Sequence, residues 1–278
     1  MKDIFQLKIQ ENGTEVFSLK QLEDAFPVHA FFTSRNGGVS RAPFSSLNLG
    51  TMSGDNPELI RNNRNLVFSA YKTSLRAVVV PEQVHGADVA QITEKMLLSA
   101  VQDERSDFPT IYCSQTDASI TDLPGVLLTS LHADCIPVWL YDPVHHAAGL
   151  AHAGWKGSRA DIAAKTAAEM QTAYDTRPEN LLAVIRPGIQ QCCFEVGAEV
   201  QEQFGKMLPE QEAGFARKTG KEKYHLDLRK INRLLLERIG VKKIYESNYC
   251  TCCNENAFFS YRRDSGTTGR MCAGICLL

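Results

Sequence analysis

Three apolar, strand-like runs follow one another in the middle of the chain with no helix-length segment between them. They are Val126–Leu131, Ile136–Tyr141 and His146–His152. Continuous apolar runs of this length are typical of strands that are buried on both faces. Their clustering argues against a regular alternation of strands and helices. The sequence therefore predicts an α+β (mixed α/β) fold, in which a mixed sheet is flanked by helices.

Further strands and helices are predicted on both sides of this cluster. The remaining short apolar or β-branched runs are Val28–Thr33, Ala77–Pro81, Leu181–Ile185, Lys243–Glu246 and Arg270–Leu278. Helices are predicted over Pro57–Tyr71, where Asp55 or Asn56 can cap the first turn, over Ser158–Tyr174, and from Asp227 to Gly240.

Composition limits the possible partners and location. The chain has 278 residues, 44% of them hydrophobic, and no linker-like stretch, so we predict a single domain over residues 1–278. Its 30 basic and 32 acidic residues give a net charge of -2, which favours neither nucleic acid nor a membrane surface. The N-terminal residues lack a signal-peptide core, and nine cysteines without a secretion signal indicate reduced thiols. We expect a cytoplasmic protein, and no oligomeric state follows from its sequence.

Metal-capable side chains interrupt the central strands. Asp134 and Cys135 follow the first strand, and His152 ends the third. Such groups at the ends of buried strands cost folding free energy unless something binds them, so they indicate a site. The glycines after His152 allow a tight turn into a helix, whose N–H groups, together with Lys156, would suit an anion.

A third ligand-capable residue, His85, lies in a turn-prone segment after the strand Ala77–Pro81. The gaps between His85, Cys135 and His152 are 50 and 17 residues, so no local zinc-finger spacing supports a metal site. From the residues alone, a lone histidine of this kind is more often a hydrogen-bonded core residue than a metal ligand.

Ten ordered blocks resemble one known family, from about residue 30 to the C-terminus. They are SRNGGVS (34–40), SSLNLG (45–50), EQVHG (82–86), TDASITDLPGVLL (116–128), ADCIPV (133–138), GLAHAGWKGS (149–158), CCFEVGAEV (192–200), DL (227–228), CT (250–251) and FFSYRRDSGTTGRM (258–271). The family is the polyphenol-oxidase/laccase-domain family, also described as purine nucleoside phosphorylases and as peptidoglycan-editing factors.

The resemblance implies a fold, a metal and a reaction. The fold would be a single domain of layered mixed sheets, similar to the catalytic domain of cytotoxic necrotizing factor toxins. The implied zinc ligands are His85, Cys135 and His152, and three protein ligands leave a fourth position for water or substrate, as in catalytic sites. The implied substrates are phosphate and purine nucleosides (adenosine, inosine, guanosine and methylthioadenosine), with adenosine deamination at the same site. Cu²⁺ is the alternative metal.

Residues around the blocks are candidates for catalysis and substrate binding. Cys135, His152 and Asp134 are the catalytic candidates, Asp134 as a group that orients a metal-bound histidine or accepts a proton. Phosphate or nucleoside contacts are assigned to Arg35, Asn48, Gln83, Lys156 and Arg262. Arg186 replaces a glycine that the family usually has, which affects substrate scope more than fold.

The sequence also allows other interpretations of the function. Cys135 with His152 or His85 would also suit a metal-independent cysteine hydrolase. A peptidoglycan-precursor editing enzyme and a copper-dependent polyphenol oxidase are further alternatives, although the chain lacks the His-x-His pairs of multicopper centres. We interpret Cys192 and Cys193 as small buried residues. Cys250, Cys252 and Cys253 are not assigned to a metal, because no paired cluster completes a four-ligand site.

Overall fold

The computed structural model describes residues 5–103, 106–185 and 187–278, and Arg186 therefore lies outside the described residues. Its strands in chain order are β1 (Gln6–Ile9), β2 (Glu15–Ser18), β3 (Val28–Thr33), β4 (Ala77–Pro81), β5 (Val89–Gln91), β6 (Val101–Asp103), β7 (Ser106–Cys113), β8 (Ala118–Thr121), β9 (Val126–His132), β10 (Ile136–Asp142), β11 (Ala147–Ala153), β12 (Leu182–Ile185), β13 (Glu195–Gly197), β14 (Ala216–Lys218), β15 (Lys223–Leu226), β16 (Lys243–Glu246) and β17 (Met271–Leu277).

The α-helices are α1 (Lys20–Ala25), α2 (Pro57–Ser69), α3 (Glu94–Leu98), α4 (Trp155–Arg159), α5 (Ile162–Tyr174), α6 (Ala198–Met207), α7 (Glu212–Phe215) and α8 (Leu228–Arg238). Two short 3₁₀ helices cover Pro178–Asn180 and Pro209–Gln211. Among the helices described, none combines the length and the apolar character that crossing a bilayer requires.

The strands form three sheets. The first has the order β1-β2-β3-β17-β9-β4-β7-β6, and only β4 makes parallel pairs, with β7 and β9. The second has the order β16-β12-β10-β11-β8-β5, in which β12 with β16 and β5 with β8 are parallel. The third is a small antiparallel sheet, β13-β15-β14. The predicted mixed α/β architecture with flanking helices is confirmed.

The two large sheets stack face to face around a shared core. In β9, Val126 and Leu128 point into this core, whereas Leu127 points to the outer face of the first sheet. Trp139 of β10 enters the same core from the second sheet, and its indole N–H donates to the carbonyl oxygen of Gly274 in β17 at 3.1 Å. The central strands are thus buried on both faces, because each sheet has helices or loops on its other side.

Helices cover the outer faces of both sheets. On the first sheet, α2 packs Val67 and Phe68 against Leu127. On the second sheet, α5 and α8 bury side chains such as Met170 and Leu235 against β10 and β11. Each fully buried aliphatic or aromatic side chain contributes roughly 1.5–3 kcal/mol relative to an exposed one.

Most predicted elements are present with bounds that differ by one or two residues, but the helix predicted over Ser158–Tyr174 is divided. It starts earlier, at Trp155, ends at Arg159, and resumes as α5 at Ile162. Asp161 separates the two helices because its backbone is left-handed, with φ of 62°, and its carboxylate pairs with Arg238 at 2.5 Å.

Candidate metal centre

The three candidate ligands lie at one open end of the two stacked sheets. Cys135 is in the turn that carries the chain from β9 in the first sheet to β10 in the second. His152 is near the end of β11, opposite Pro137 in β10. His85 is in the loop that follows β4, with a left-handed backbone (φ of 60°). Residues distant in sequence therefore meet where the chain passes between the sheets.

The ligand atoms of His85, Cys135 and His152 all lie within 4.8 Å of one another. The two imidazole rings are 5.0 Å apart and inclined at 77°. His152 is buried, Cys135 is partly buried and His85 is exposed, so the group opens toward solvent on the His85 side. Two imidazole nitrogens and one thiolate are a donor set that suits zinc. His85, Cys135 and His152 supply these donors, so the three residues fit a zinc ion.

Gly154 forms the back of this group. A Cβ atom at Gly154 would lie 3.0 Å from the sulfur of Cys135 and 3.1 Å from a ring carbon of His85. Real Cβ atoms rarely come this close to their neighbours, so a side chain here would displace both ligands. The glycine after His152 is therefore needed for space around the ligands, in addition to beginning α4.

Asp117, directly before β8, holds the histidines in place. Its Oδ1 accepts from Nδ1 of His152 at 2.8 Å and from the backbone N–H of His85 at 3.0 Å. Its Oδ2 accepts from the backbone N–H groups of Val84 and Gly86 at 3.1 and 2.7 Å. Burial alone would raise the pKa of Asp117, but His152 and these N–H groups lower it. Because Nδ1 of His152 is occupied, Nε2 is the nitrogen that faces Cys135.

Charge at the centre is concentrated on Cys135 and His152. Burial opposes ionisation of the thiol, but the neighbouring His152 charge and hydrogen bonds from both histidines lower the pKa of Cys135 to about 6. Burial also opposes protonation of His152, yet the Cys135 thiolate and Asp117 raise its pKa to about 9. Without a metal the pair is thus a thiolate and an imidazolium at neutral pH, and the thiolate is the form that binds metals.

His132 is a second buried histidine beside the group, with its ring 5.3 Å from that of His152. Its Nδ1 lies 3.0 Å from the carbonyl oxygen of Cys135, and its Nε2 lies 2.7 Å from the hydroxyl of Ser130. A carbonyl only accepts, so Nδ1 carries the proton and Nε2 accepts from Ser130. Burial, followed by the charge of His152, lowers the pKa of His132 well below its usual value. His132 is thus a neutral supporting residue of the Cys135 turn.

Comparisons with known proteins show the family of this chain. The model of the family described as multi-copper polyphenol oxidoreductase laccase matches residues 29–278. The chain belongs to this laccase family. A relative named purine nucleoside phosphorylase YlmD, from Geobacillus stearothermophilus, is 39% identical over 248 residues, covering 88% of this chain and 89% of the relative. Purine nucleoside phosphorylase YfiH of Escherichia coli (strain K12) is 36% identical over 251 residues, covering 90% and 94%.

Solved structures extend the similarity to the whole fold. The crystal structure of YlmD from Geobacillus stearothermophilus superimposes with a TM-score of 0.89 at 36% sequence identity and covers 99% of both chains. That of the Bacillus licheniformis hypothetical protein YfiH gives a TM-score of 0.86 at 34% identity, covering 98% of this chain and 99% of that one. This laccase-family chain therefore has the YfiH/YlmD-like fold.

Asp134 has different neighbours from those that its position next to Cys135 suggests. Its Oδ1 accepts from the hydroxyl of Thr251 at 2.6 Å, and its Oδ2 accepts from the hydroxyl of Ser260 at 3.0 Å and the backbone N–H of Arg262 at 2.7 Å. Asp117, not Asp134, orients the histidine of the candidate centre. Asp134 instead ties the Cys135 turn to the C-terminal loops.

Two residues assigned to substrate are committed to the protein's own backbone. The side-chain amide of Gln83 donates to the carbonyl oxygen of Leu131 at 3.0 Å and accepts from its N–H at 2.7 Å, which fixes the His85 loop to β9. Asn48 is fully buried and accepts from the N–H groups of Gly50 and Arg270 at 3.0 and 2.9 Å. Both amides position loops around the centre, and their assignment to the nucleoside stays a prediction.

The three cations assigned to phosphate have different surroundings. Lys156 of α4 is exposed, and its ammonium lies 5.8 Å from the centre of the Trp155 ring. Arg262 donates to the carbonyl oxygens of Cys193 and Glu195 at 3.1 and 2.9 Å. Arg35 lines a separate cleft of about 610 Å³ with Arg263, and no candidate metal ligand lines that cleft. Of these three cations, only Lys156 is close in sequence to a candidate ligand, His152.

Sequence reasoning missed Arg270 and a second cluster of cysteines. Arg270 is partly buried, its charge interacts with Cys135 and Asp134, and its Nη1 donates to the carbonyl oxygens of Thr268 and Gly269 at 2.7 and 3.0 Å. The block ending TTGRM contained this arginine, but nothing local relates it to Cys135. The interpretation of Cys192 and Cys193 as buried residues is wrong: Cys192 is exposed and Cys193 is partly buried.

Proposed function

We propose that this protein is a zinc-dependent purine nucleoside phosphorylase that uses adenosine, inosine, guanosine and methylthioadenosine and also deaminates adenosine. The observation that carries the proposal is the convergence of His85, Cys135 and His152 within 4.8 Å around a space that Gly154 keeps open. Relatives that match nearly the whole chain are named purine nucleoside phosphorylases, which supports the substrate class.

We propose zinc as the metal because of the donor set. His85, Cys135 and His152 would hold it, and among the described residues this group contains no fourth protein ligand. Three protein ligands leave one position for substrate or water. When bound, zinc would act as a Lewis acid and make a water-derived nucleophile available near neutral pH. Copper is the alternative that the family's description suggests.

The protein's own residues would orient and charge the site. Asp117 fixes the ring of His152 and, through the N–H groups of residues 84–86, the loop that bears His85. Lys156 and Arg270 are the cations that we assign to phosphate, because Lys156 follows Gly154 and the charge of Arg270 acts on Cys135. Phosphorolysis would then join phosphate to the anomeric carbon of ribose as the bond to the purine nitrogen breaks. In deamination, water would replace the amino group at C6 of adenine, and this group would leave as ammonia.

A cysteine hydrolase is the second candidate, and one observation favours it. Cys135, His152 and Asp117 are linked by hydrogen bonds in the order nucleophile, base and orienting carboxylate. His85 argues for a metal instead, because a hydrolytic triad has no use for a third ligand next to the sulfur. Editing of peptidoglycan precursors is a further outcome that the assay below distinguishes.

We also assign the enzyme to the cytoplasm, whose reducing conditions preserve a functional thiolate.

The test combines metal analysis with product analysis. Purified protein is incubated with adenosine and phosphate, and adenine, ribose-1-phosphate and inosine are separated by chromatography. In the wild type we expect these products and bound zinc. In His85→Ala we expect turnover to fall by more than about 100-fold, a larger loss than is usual when a hydrogen-bond partner of a metal ligand is removed. Cys113→Ala, which alters a buried cysteine outside the centre, is the matched control and should retain activity. A fully active metal-free preparation, or turnover of muropeptide precursors alone, would contradict the proposal.

A further inference from the structure

Four cysteines outside the candidate centre converge from two distant parts of the chain. Cys192 and Cys193 lie in the turn before β13, and Cys250 and Cys253 lie in the loop after β16. The sulfur of Cys192 is 3.7 Å from that of Cys250 and 3.6 Å from that of Cys253, and the sulfurs of Cys193 and Cys253 are 3.3 Å apart. All four sulfurs lie within 4.8 Å of one another.

These separations match a tetrahedral metal site better than disulfides. A Zn–S bond of about 2.3 Å in a regular tetrahedron places its sulfurs about 3.8 Å apart, whereas a disulfide brings two sulfurs to about 2.05 Å. We propose that Cys192, Cys193, Cys250 and Cys253 bind a second zinc ion as a closed, structural Cys₄ site. This inference is independent of the proposed function, because it concerns other residues and another role.

The surroundings suit four thiolates. Such a site carries a net charge of about -2. The guanidinium of Arg262 donates to the carbonyl oxygen of Cys193 at 3.1 Å, and that of Arg263 donates to the carbonyl oxygen of Cys252 at 3.3 Å, so two cations contact the chain segments that bear the sulfurs. The backbone N–H of Gln190 donates to the sulfur of Cys250 at 3.4 Å. Cys250 is buried, whereas Cys192 and Cys253 are exposed, which gives the metal an entry path.

The closeness of the four sulfurs indicates why a cation would be needed. Four thiolates so close together would repel one another, and a divalent cation would remove this repulsion.

A metal here would stabilise one wall of the candidate centre. The Cys250 loop includes Thr251, whose hydroxyl donates to Asp134 at 2.6 Å, next to Cys135. The Cys193 turn is bound by Arg262, whose backbone N–H donates to the same carboxylate at 2.7 Å. Joining the turn and the loop would therefore fix Asp134, and with it the turn that bears Cys135.

Metal content of full-length variants tests the proposal. We expect two zinc ions per wild-type chain, one in Cys192→Ser/Cys253→Ser, one in His85→Ala and none when all three changes are combined. The double variant alters two exposed cysteines, so its fold should persist. Cys252→Ser, next to the cluster but not part of it, is the matched control and should retain two ions. A wild type with a single zinc that His85→Ala removes, or a double variant with two, would overturn the inference.

Thiol reactivity and cobalt absorption give two further readouts. In the zinc-loaded native protein, the exposed Cys192 and Cys253 should react with a thiol reagent at least tenfold more slowly than after chelation. Replacement of zinc by Co²⁺ should produce the visible absorption of tetrahedral, thiolate-bound cobalt, and this absorption should persist in His85→Ala. Equal reaction rates with and without metal, or a disulfide among the four cysteines in the native protein, would refute the site.

Discussion

At the scale of single residues, the carboxylate of Asp117 connects the two halves of the candidate metal centre. One oxygen fixes His152 of the second sheet, and the same carboxylate binds three successive N–H groups of the loop that bears His85. Those N–H groups hold His85 in its left-handed conformation, with φ of 60°. A backbone in this region costs a non-glycine residue roughly 1–3 kcal/mol, which the hydrogen bonds to Asp117 offset.

Replacement of Asp117 should therefore weaken the metal site without removing a ligand. In Asp117→Asn, one carboxylate oxygen becomes an NH₂ group that faces N–H donors, so either His152 or the His85 loop loses its acceptor. We expect metal affinity to fall by about 10- to 100-fold, as for other partners of metal-bound histidines. Competition with a chromophoric chelator measures this affinity. Asp122→Asn changes an exposed carboxylate five residues away and serves as the control; equal affinities in the two variants would contradict the assignment.

The buried His132 should make stability depend on pH. Its folded-state pKa is depressed below 6.5, first by burial and then by His152. The contribution of His132 to the free energy of unfolding is complete above the pKa that this histidine has in the unfolded chain. It is lost as pH falls below that pKa, because the unfolded chain then binds a proton that the folded chain does not. This difference of one bound proton changes the free energy of unfolding by up to about 1.4 kcal/mol per pH unit. Urea unfolding between about pH 7 and pH 5 should show a steeper loss for the wild type than for His132→Gln, and parallel slopes would exclude this role.

The sequence identified the three candidate ligands through family resemblance but not the residues that arrange them. Asp134 adjoins Cys135 in sequence, so it was assigned the orienting role. The residue in that role is 35 positions from His152, and its placement depends on the pairing of Ala118 in β8 with Ala151 in β11. Such pairing is a property of the folded sheet, and no local pattern around Asp117 encodes it.

At the scale of elements, strands were predicted well where both faces are buried. The predicted bounds of the largely buried β3 and β4 agree with the structure, because their apolar runs stop where burial or pairing stops. The predicted bounds of β16 agree as well, although this strand is partly exposed. The division between α4 and α5 was missed, since the left-handed Asp161 is stabilised by Arg238 of α8, far away in sequence. The cysteine cluster was missed for the same kind of reason: parallel pairing of β12 with β16 brings the two cysteine segments together.

Helix α8 provides a test of a cap that was predicted from sequence. The Oδ1 atom of Asp227 accepts from the backbone N–H of Lys230 at 3.0 Å, and the helix buries Ile231 and Leu235 against the second sheet. Asp227→Ala leaves the Lys230 N–H without its acceptor and should lower the free energy of unfolding by about 1 kcal/mol, measured in urea. Asp227→Asn retains an oxygen at the cap and should lose much less. Equal losses in both variants would show that charge, and not the cap, stabilises this end of α8.

At the scale of the whole molecule, the stacked sheets indicate one cooperative unit. Side chains from both sheets fill a single core, and Trp139 links them through its hydrogen bond to Gly274. Neither large sheet can keep this face buried without the other. The candidate centre lies at the end of the same stack, with His85 contributed from the first sheet's side and His152 from the second, so its geometry depends on the sheets remaining together.

The predicted single domain should therefore unfold in one transition. The chain has two tryptophans, so in Trp155→Phe the fluorescence reports only on Trp139 between the sheets, while circular dichroism reports on the helices and strands of all layers. We expect the two signals to change with the same midpoint in urea, because loss of the shared core exposes both sheets together. Release of bound metal should occur in the same range, since its ligands lie on both sides of that core. Two separated transitions, with metal retained through the first, would instead divide the chain into independently folded parts.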